Sequence, residues 1–512
     1  MTDLLVRGKY VLIDAEASDS SILEDASVLV ANGRISEIGT FAQMKEKYGT
    51  VEIVGNGKQL LMPGLIDSHS HGWGLTAIQR GVNSDFLENA LIDWAAMVDL
   101  DPELNSMMSA VRHIRSGCTT LHHNHWGERP DLLEIAQKNI RGYKQVGIRL
   151  AYSLGIRNKN ILALDDDEFY KTLPLDLQEF CRPMVFFDRE AAVEEFFNAF
   201  EEIYRTYKTG DTQVFFGPSW AQGSTDEFLI RVKARADELG KLPIHIHTLQ
   251  TPIQKAYGLR KYGKSLLAHL DDIGLVDSNL VLGHAVYVNE TDINLLAEKR
   301  ASTTHHPSCN LVVRNGISPV YYLLKAGVNV ALGIDDKGIN DDEDIMMELR
   351  MIYYLHRVPG FDLAKTPALT SWDVLKIGTI NGARVCGFDG QLGTLKPGMM
   401  ADMILVDLGE IMEEPWISPE VKIVDALVQR GKGNHVNTAI IAGDIVMKDR
   451  VFTKIDIDDL YKEVRKQAAK GPSPEQIQYA HDLQKLKPFY HQWYEGWVKS
   501  DIKPFYILNS RN

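Results

Sequence analysis

The chain has 512 residues, 45% apolar and 24% charged, the composition of a globular protein with ample core rather than a disordered one. Lys+Arg 55 against Asp+Glu 69 leaves a net charge of -14, which speaks against a nucleic-acid partner. No segment has the uninterrupted apolar length of a membrane span, and the opening MTDLLVRGKYVLIDAE lacks the pattern of a secretory leader. The expectation is a cytoplasmic protein with no membrane partner.

From Leu4 to Leu61, short alternating apolar runs are separated by turn residues such as Asn32-Gly33, the signature of antiparallel strands joined by tight hairpins. The same texture returns between Gly393 and Thr453, in GTLKPGMMADMILVDL, IVDALVQRG and VNTAIIAGDIVMKDRVF. Residues 1–62 and 393–454 are therefore expected to form one small β-sandwich domain built from both ends of the chain.

Residues 63–392 read differently: short β-like runs alternate with longer stretches of helical period. Candidate strands are Gln59–Ile66, Thr119–His123, Arg149–Leu154, Val214–Gly217, Ile244–His247, Leu280–Gly283, Ala301–Thr304 and Val328–Gly333. Eight such units predict an α/β fold, a (β/α)8 TIM-type barrel. Nearly every run ends in titratable residues: Asp67/His69/His71, His122/His123/His125, His245/His247, His284, His305/His306 and Asp335/Asp336. Active sites of such barrels lie at the C-terminal ends of the strands, so this clustering of the chain's 16 histidines points to chemistry there. The acidic run near Asp341 lacks the ligand alternation of a calcium loop and reads as a helix N-terminus.

Residues 455–512 form a helical, then aromatic, extension ending in PFYHQWYEGWVKSDIKPFY. Packing on the barrel or on another subunit is the first reading of these aromatics, and a cover over a substrate the second.

The most informative motif is LMPGLIDSHSH, Leu61 to His71. Side chains at i and i+2 share a strand face, so His69 and His71 present two imidazoles side by side, half of a zinc-type site. Downstream follow His247 in PIHIHTLQT, His284 in VLGHAVYV and Asp335 in VALGIDD. With GCTT at Gly117–Thr120, HPSCN at His306–Asn310 and TINGARVCGFDGQLGTLKPGMMADMILVD, this ordered set resembles the amidohydrolase superfamily, in its cytosine deaminase and triazine chlorohydrolase-like branch.

The resemblance implies one divalent metal ion held by His69, His71, His247 and Asp335, Zn2+ in first place and Fe2+ as an alternative. It implies metal-activated hydroxide as nucleophile, Asp335 as proton carrier and His284 orienting the water. The fourth candidate strand ends GPSWAQ, without the lysine that bridges two metals in binuclear relatives, so one ion is expected. His245 is the alternative to His247 should the strand register differ. His122, His125, Trp126, His305 and Asn310 are candidate substrate-binding residues, with Trp126 placed to stack on an aromatic ring.

The chain departs from the family at Gln250, three residues after the third histidine, where ring deaminases carry a proton-donating Glu. A carboxamide donates and accepts hydrogen bonds but shuttles no proton near neutral pH. The first expectation is therefore a metal-dependent hydrolase of a non-peptide C–N bond in a small aromatic or heterocyclic amide, urea or carbamate, with Gln250 binding the substrate. The alternatives are a deaminase or dechlorinase of an amino-substituted N-heterocycle (pterin, purine, pyrimidine or triazine), and a catalytically inactive barrel acting as a binding protein. A homo-oligomer, a dimer or larger, is expected from the aromatic tail and the family's habit.

Overall fold

The computed structural model describes residues 3–16, 19–83, 85–125, 131–336, 342–357 and 368–498. Its centre is an eight-stranded parallel sheet: β1 (Leu65–Ser70), β2 (Cys118–Asn124), β3 (Arg149–Leu154), β4 (Thr212–Phe216), β5 (Ile244–Thr248), β6 (Leu280–His284), β7 (Ser302–His305) and β8 (Asn329–Leu332). These strands are buried along almost their whole length, as expected when both faces of a parallel sheet are covered. The sheet curls until β8 meets β1, where Asp335 N donates to His69 O at 2.8 Å.

The crossover helices follow from local sequence. In Pro102–Ser116, Leu104, Met108, Val111 and Ile114 recur at helical spacing and are buried; Asp101 caps the N-terminus, and Gly117, at φ 102°, ends the helix and feeds β2. Asp344 likewise caps Ile345–Leu355 by accepting from Met346 N and Met347 N, so the acidic run does lead into a helix N-terminus.

A second, mixed sheet combines both ends of the chain. Gln59–Pro63 pairs parallel with Leu4–Leu12 and antiparallel with Met403–Asp407, which joins the N-terminal strands to the C-terminal ones. Val6, Val28, Leu61, Met403 and Ile440 belong to an apolar core of its own.

Two local expectations change. Gln59–Ile66 is not one strand: the chain passes from the mixed sheet to the barrel at Gly64, where a Cβ would stand 2.0 Å from Thr119 Oγ1. Ile423–Arg430 is a helix, because Ile423, Val424, Leu427 and Val428 bury one helical face against the barrel's outer layer.

Three helices, Ile457–Ala468, Pro474–Gln484 and Lys487–Tyr494, follow the second sheet. The last two pack on the barrel: Tyr490 OH donates to Leu162 O, Leu164 N to Tyr494 OH at 3.0 Å, and Gln484 Nε2 to Asp93 Oδ1 at 2.7 Å. No helix among the described residues is long and apolar enough to cross a membrane.

Arg149 on β3 pins the two sheets together. Its guanidinium makes a fork with Asp402 at 2.7 and 2.8 Å, and both side chains are at most 2% exposed. Asp402→Asn would leave the buried guanidinium only the exposed Asp211 carboxylate, 2.6 Å from its Nη1, and is expected to destabilise the fold by about 3 kcal/mol, measured by chemical denaturation. A loss below ~1 kcal/mol would show that the pin is dispensable.

Candidate active site

The strand ends converge on a cavity of about 670 Å3 whose lining includes His71, His125, His247, Gln250, His284 and Asp335. On β1, Asp67, the first polar residue after the apolar run, accepts from His69 N at 3.1 Å and from Ile334 N at 3.0 Å, and its other oxygen meets His113 Nε2 at 2.8 Å. Since His113 Nδ1 lies 2.7 Å from the Ser109 carbonyl, both ring nitrogens face acceptors and the ring is an imidazolium. The Asp67 carboxylate holds its pKa up at about 9 against the opposing effect of burial.

His71 Nδ1 is 2.8 Å from Asn124 O, and His247 Nδ1 is 2.5 Å from Ser219 O. Carbonyls only accept, so both rings carry a proton on Nδ1 and turn Nε2 toward the cavity. The third ring, His69, places Nδ1 2.7 Å from His245 Nε2, while its own Nε2 is buried without a hydrogen-bond partner. These Nε2 atoms gather: His247 to His71 at 3.4 Å, and Asp335 Oδ1 at 3.1 Å from His71 and 3.7 Å from His69. Burial, with crowding by neighbouring imidazoles, pushes His69 and His247 well below the ordinary histidine pKa. His69, His71 and His247 offer Nε2 atoms close enough together to hold one ion, and with the Asp335 carboxylate beside His71 and His69 they supply the donor set that a tetrahedral divalent cation requires, so the residues fit a metal.

The other carboxylate oxygen, Asp335 Oδ2, faces His284 Nε2 at 3.7 Å, His306 Nδ1 at 3.4 Å and Cys309 Sγ at 2.7 Å. His284 and Asp335 have left-handed backbones, φ 72° and 59°, uncommon for non-glycine residues and concentrated here where the strands end.

The sequence profile of the amidohydrolase family matches residues 60–446, about three quarters of the chain and all of this site. The chain belongs to the amidohydrolase family. Among curated relatives, a 5'-deoxyadenosine deaminase of Methanosarcina mazei is 29% identical over 479 residues, covering 91% of this chain and 98% of the relative. A 5-methylthioadenosine/S-adenosylhomocysteine deaminase of Caldanaerobacter subterraneus subsp. tengcongensis is 27% identical, with the same coverages. Among solved structures, an adenosine deaminase from Xanthomonas campestris with bound zinc superposes at TM-score 0.74 with 26% identity, over 92% of this chain and 98% of that one. Atrazine chlorohydrolase from Arthrobacter aurescens complexed with zinc shares the fold at TM-score 0.74 and 18% identity, over 91% of this chain and all of that one. The protein is thus a hydrolase of C–N bonds other than peptide bonds, and the reading of an inactive binding barrel is set aside.

Within this amidohydrolase the expected substrate residues part company. His125 and Gln250 line the cavity; Gln250 N donates to Gln254 Oε1 at 2.8 Å, while its Oε1 is buried without a partner. His122 does not line it: its side chain points into the barrel core, bonded to Ser68 O and Ser153 Oγ. His305 also turns away, 3.0 Å from His356 Nε2, because the neighbouring His306 takes the place beside Asp335. Asn310 Oδ1 lies 3.0 Å from His284 Nδ1, so it orients that ring from outside the cavity. Trp126 lies outside the described residues. Asp67 and His306 stand among the titratable residues at strand ends and Cys309 within HPSCN, but the sequence reading gives them no role; His113, inside a helix, carries no signal there at all.

The His113–Asp67 pair has a readable pH signature. His113 has its pKa raised from 6.5 to about 9 on folding, so the stability it contributes is fully present below about pH 6.5 and lost as pH climbs through about 9. Thermal midpoints measured between pH 6 and 10 are expected to fall more steeply for the native protein than for His113→Gln; parallel profiles would exclude the imidazolium.

Proposed function

We propose that the protein holds one Zn2+ on His69, His71, His247 and Asp335 and hydrolytically removes the exocyclic amine of an adenine-nucleoside-type heterocycle, releasing ammonia. The observation that carries the reading is the gathering of the His69, His71 and His247 Nε2 atoms at the cavity floor, with Asp335 Oδ1 3.1 Å from His71 and 3.7 Å from His69 and His247 Nε2 3.4 Å from His71. Relatives described as deaminases of 5'-deoxyadenosine and of 5-methylthioadenosine/S-adenosylhomocysteine, matching over nine tenths of the chain, support the substrate class. His69, His284, His306 and Asp335 form a second donor group, but both nitrogens of His306 are engaged, Nε2 by Thr304 Oγ1 at 2.8 Å and Nδ1 by His284 Nδ1 at 3.1 Å, so we assign that ring and His284 beside it to orienting roles.

When bound, the metal lowers the pKa of a water molecule toward neutrality and so supplies hydroxide at physiological pH. The protein handles the protons. Asp335 Oδ2, on the side away from His69 and His71, accepts the water's proton and passes it to the departing amine. His284, whose Nδ1–H is held by Asn310, offers Nε2 as an acceptor that orients the water. Gln250 donates an amide N–H to a ring nitrogen and fixes the ring's edge, without delivering a proton.

Gln250 also favours a second reading, hydrolysis of an amide, urea or carbamate, which needs no ring protonation. Ammonia release from adenosine and 5'-deoxyadenosine, with phenylureas, anilides and carbamates untouched, is the expected result; the opposite pattern selects the second reading. Under the first, Gln250→Glu restores an acid beside the ring and raises kcat on the nucleoside by about tenfold or more. An unchanged or lower kcat would count against it. His71→Ala and Asp335→Ala are expected to abolish turnover and to lose the bound zinc, as read by elemental analysis; full metal retention would refute the ligand assignment.

A further inference from the structure

Beside the main cavity lies a smaller chamber of about 270 Å3. Leu87, Leu91, Trp220, Tyr479 and Leu483 line both spaces, which adjoin along these side chains. Tyr490 and Tyr494 wall the chamber from the C-terminal extension, outside the residues matched by the family profile. At less than the roughly 300–1,000 Å3 of ordinary ligand pockets, the chamber suits a substituent rather than a second whole substrate.

Its polar lining is electrostatically incomplete. Glu88 Oε1 accepts from Thr251 Oγ1 at 2.7 Å, while Oε2 is buried with no hydrogen-bond partner. Arg157 stacks its guanidinium 4.6 Å from the Trp220 ring and donates Nη2–H to Asn160 O and Ile161 O, yet its Nε is buried and unpartnered. Among the described residues Arg157 forms no ion pair; Asp166 acts on it only from a distance. Gln222, 1% exposed, contributes a third unpartnered atom, the acceptor Oε1. Burial pushes Glu88 up to about 7.

Glu88 and Arg157 are half-buried, but their unpartnered atoms, Oε2 and Nε, are shut away from water, and charged groups that do not neutralise each other there are each costly. A neutral ligand would satisfy neither, and a simple anion only Arg157. Resting on the adenine-nucleoside reading of the main cavity, we infer that the chamber receives a zwitterionic, α-amino-acid-type substituent of the substrate. Arg157 takes its carboxylate, and Glu88 and Gln222 take its ammonium. The C-terminal helices thereby act as a specificity wall as well as packing.

The test is ligand-dependent thermal stabilisation of the zinc-loaded protein with three probes: 5'-deoxyadenosine, S-adenosylhomocysteine and free methionine. Deamination leaves the substituent intact, so product and substrate both report on the chamber. S-adenosylhomocysteine is expected to half-saturate at a concentration about tenfold or more below that of 5'-deoxyadenosine. In Arg157→Met and in the isosteric Glu88→Gln that ratio is expected to fall to within about twofold. Equal half-saturation in the native protein, or a ratio that survives in both variants, overturns the assignment. Should neither nucleoside bind while methionine stabilises the native protein but not Arg157→Met, the chamber stands and the adenine reading falls. Silence of all three probes removes both.

Discussion

Closure of the barrel between its last and first strands is the constraint on which the site depends. The donors come from opposite ends of the chain's central part, His69 on β1 and His71 just past it, His247 on β5 and Asp335 just past β8. They meet because Asp335 N donates to His69 O and Ile334 N to Asp67 Oδ1, sewing β8 to β1 at the level where the side chains emerge. Asp67 is itself anchored by the His113 imidazolium, so a charged pair beneath the site sets the strand whose histidines face it.

The surroundings of these donors are specialised for neutral rings. Each Nδ1 is committed, to a carbonyl for His71 and His247 and to another imidazole for His69, and burial disfavours protonation of His69 and His247. That arrangement fixes tautomer and orientation before any ion arrives, which is how partners behind the ligands tune a metal site. The two oxygens of Asp335 divide the labour: one faces the ligand histidines, the other faces His284, His306 and Cys309.

Much of this was legible in the sequence because it rests on short-range patterns. His69 lies on β1 and His71 directly follows it, their rings 5.1 Å apart as the i, i+2 spacing suggests, and seven of the eight candidate strands lie within two residues of their observed positions. The eighth failed at Gly64, where an unbroken apolar run serves two sheets in succession; periodicity cannot register a change of partner. Ile423–Arg430 failed for a related reason, since a short apolar stretch fits strand and helix equally until its neighbours are known.

By itself, the sequence determined the order of chemical groups: a histidine pair, a third histidine, a fourth, an aspartate, and an amide where relatives carry an acid. Local alternation and spacing encode that much. Only the tertiary structure decided which of the adjacent histidines reach the cavity, sending His122 into the barrel core and His305 to His356 while bringing His306 to Asp335. It alone revealed that Glu88, Arg157 and the C-terminal tyrosines share one chamber. Such choices depend on ring direction and on contacts between segments hundreds of residues apart, which no linear pattern specifies.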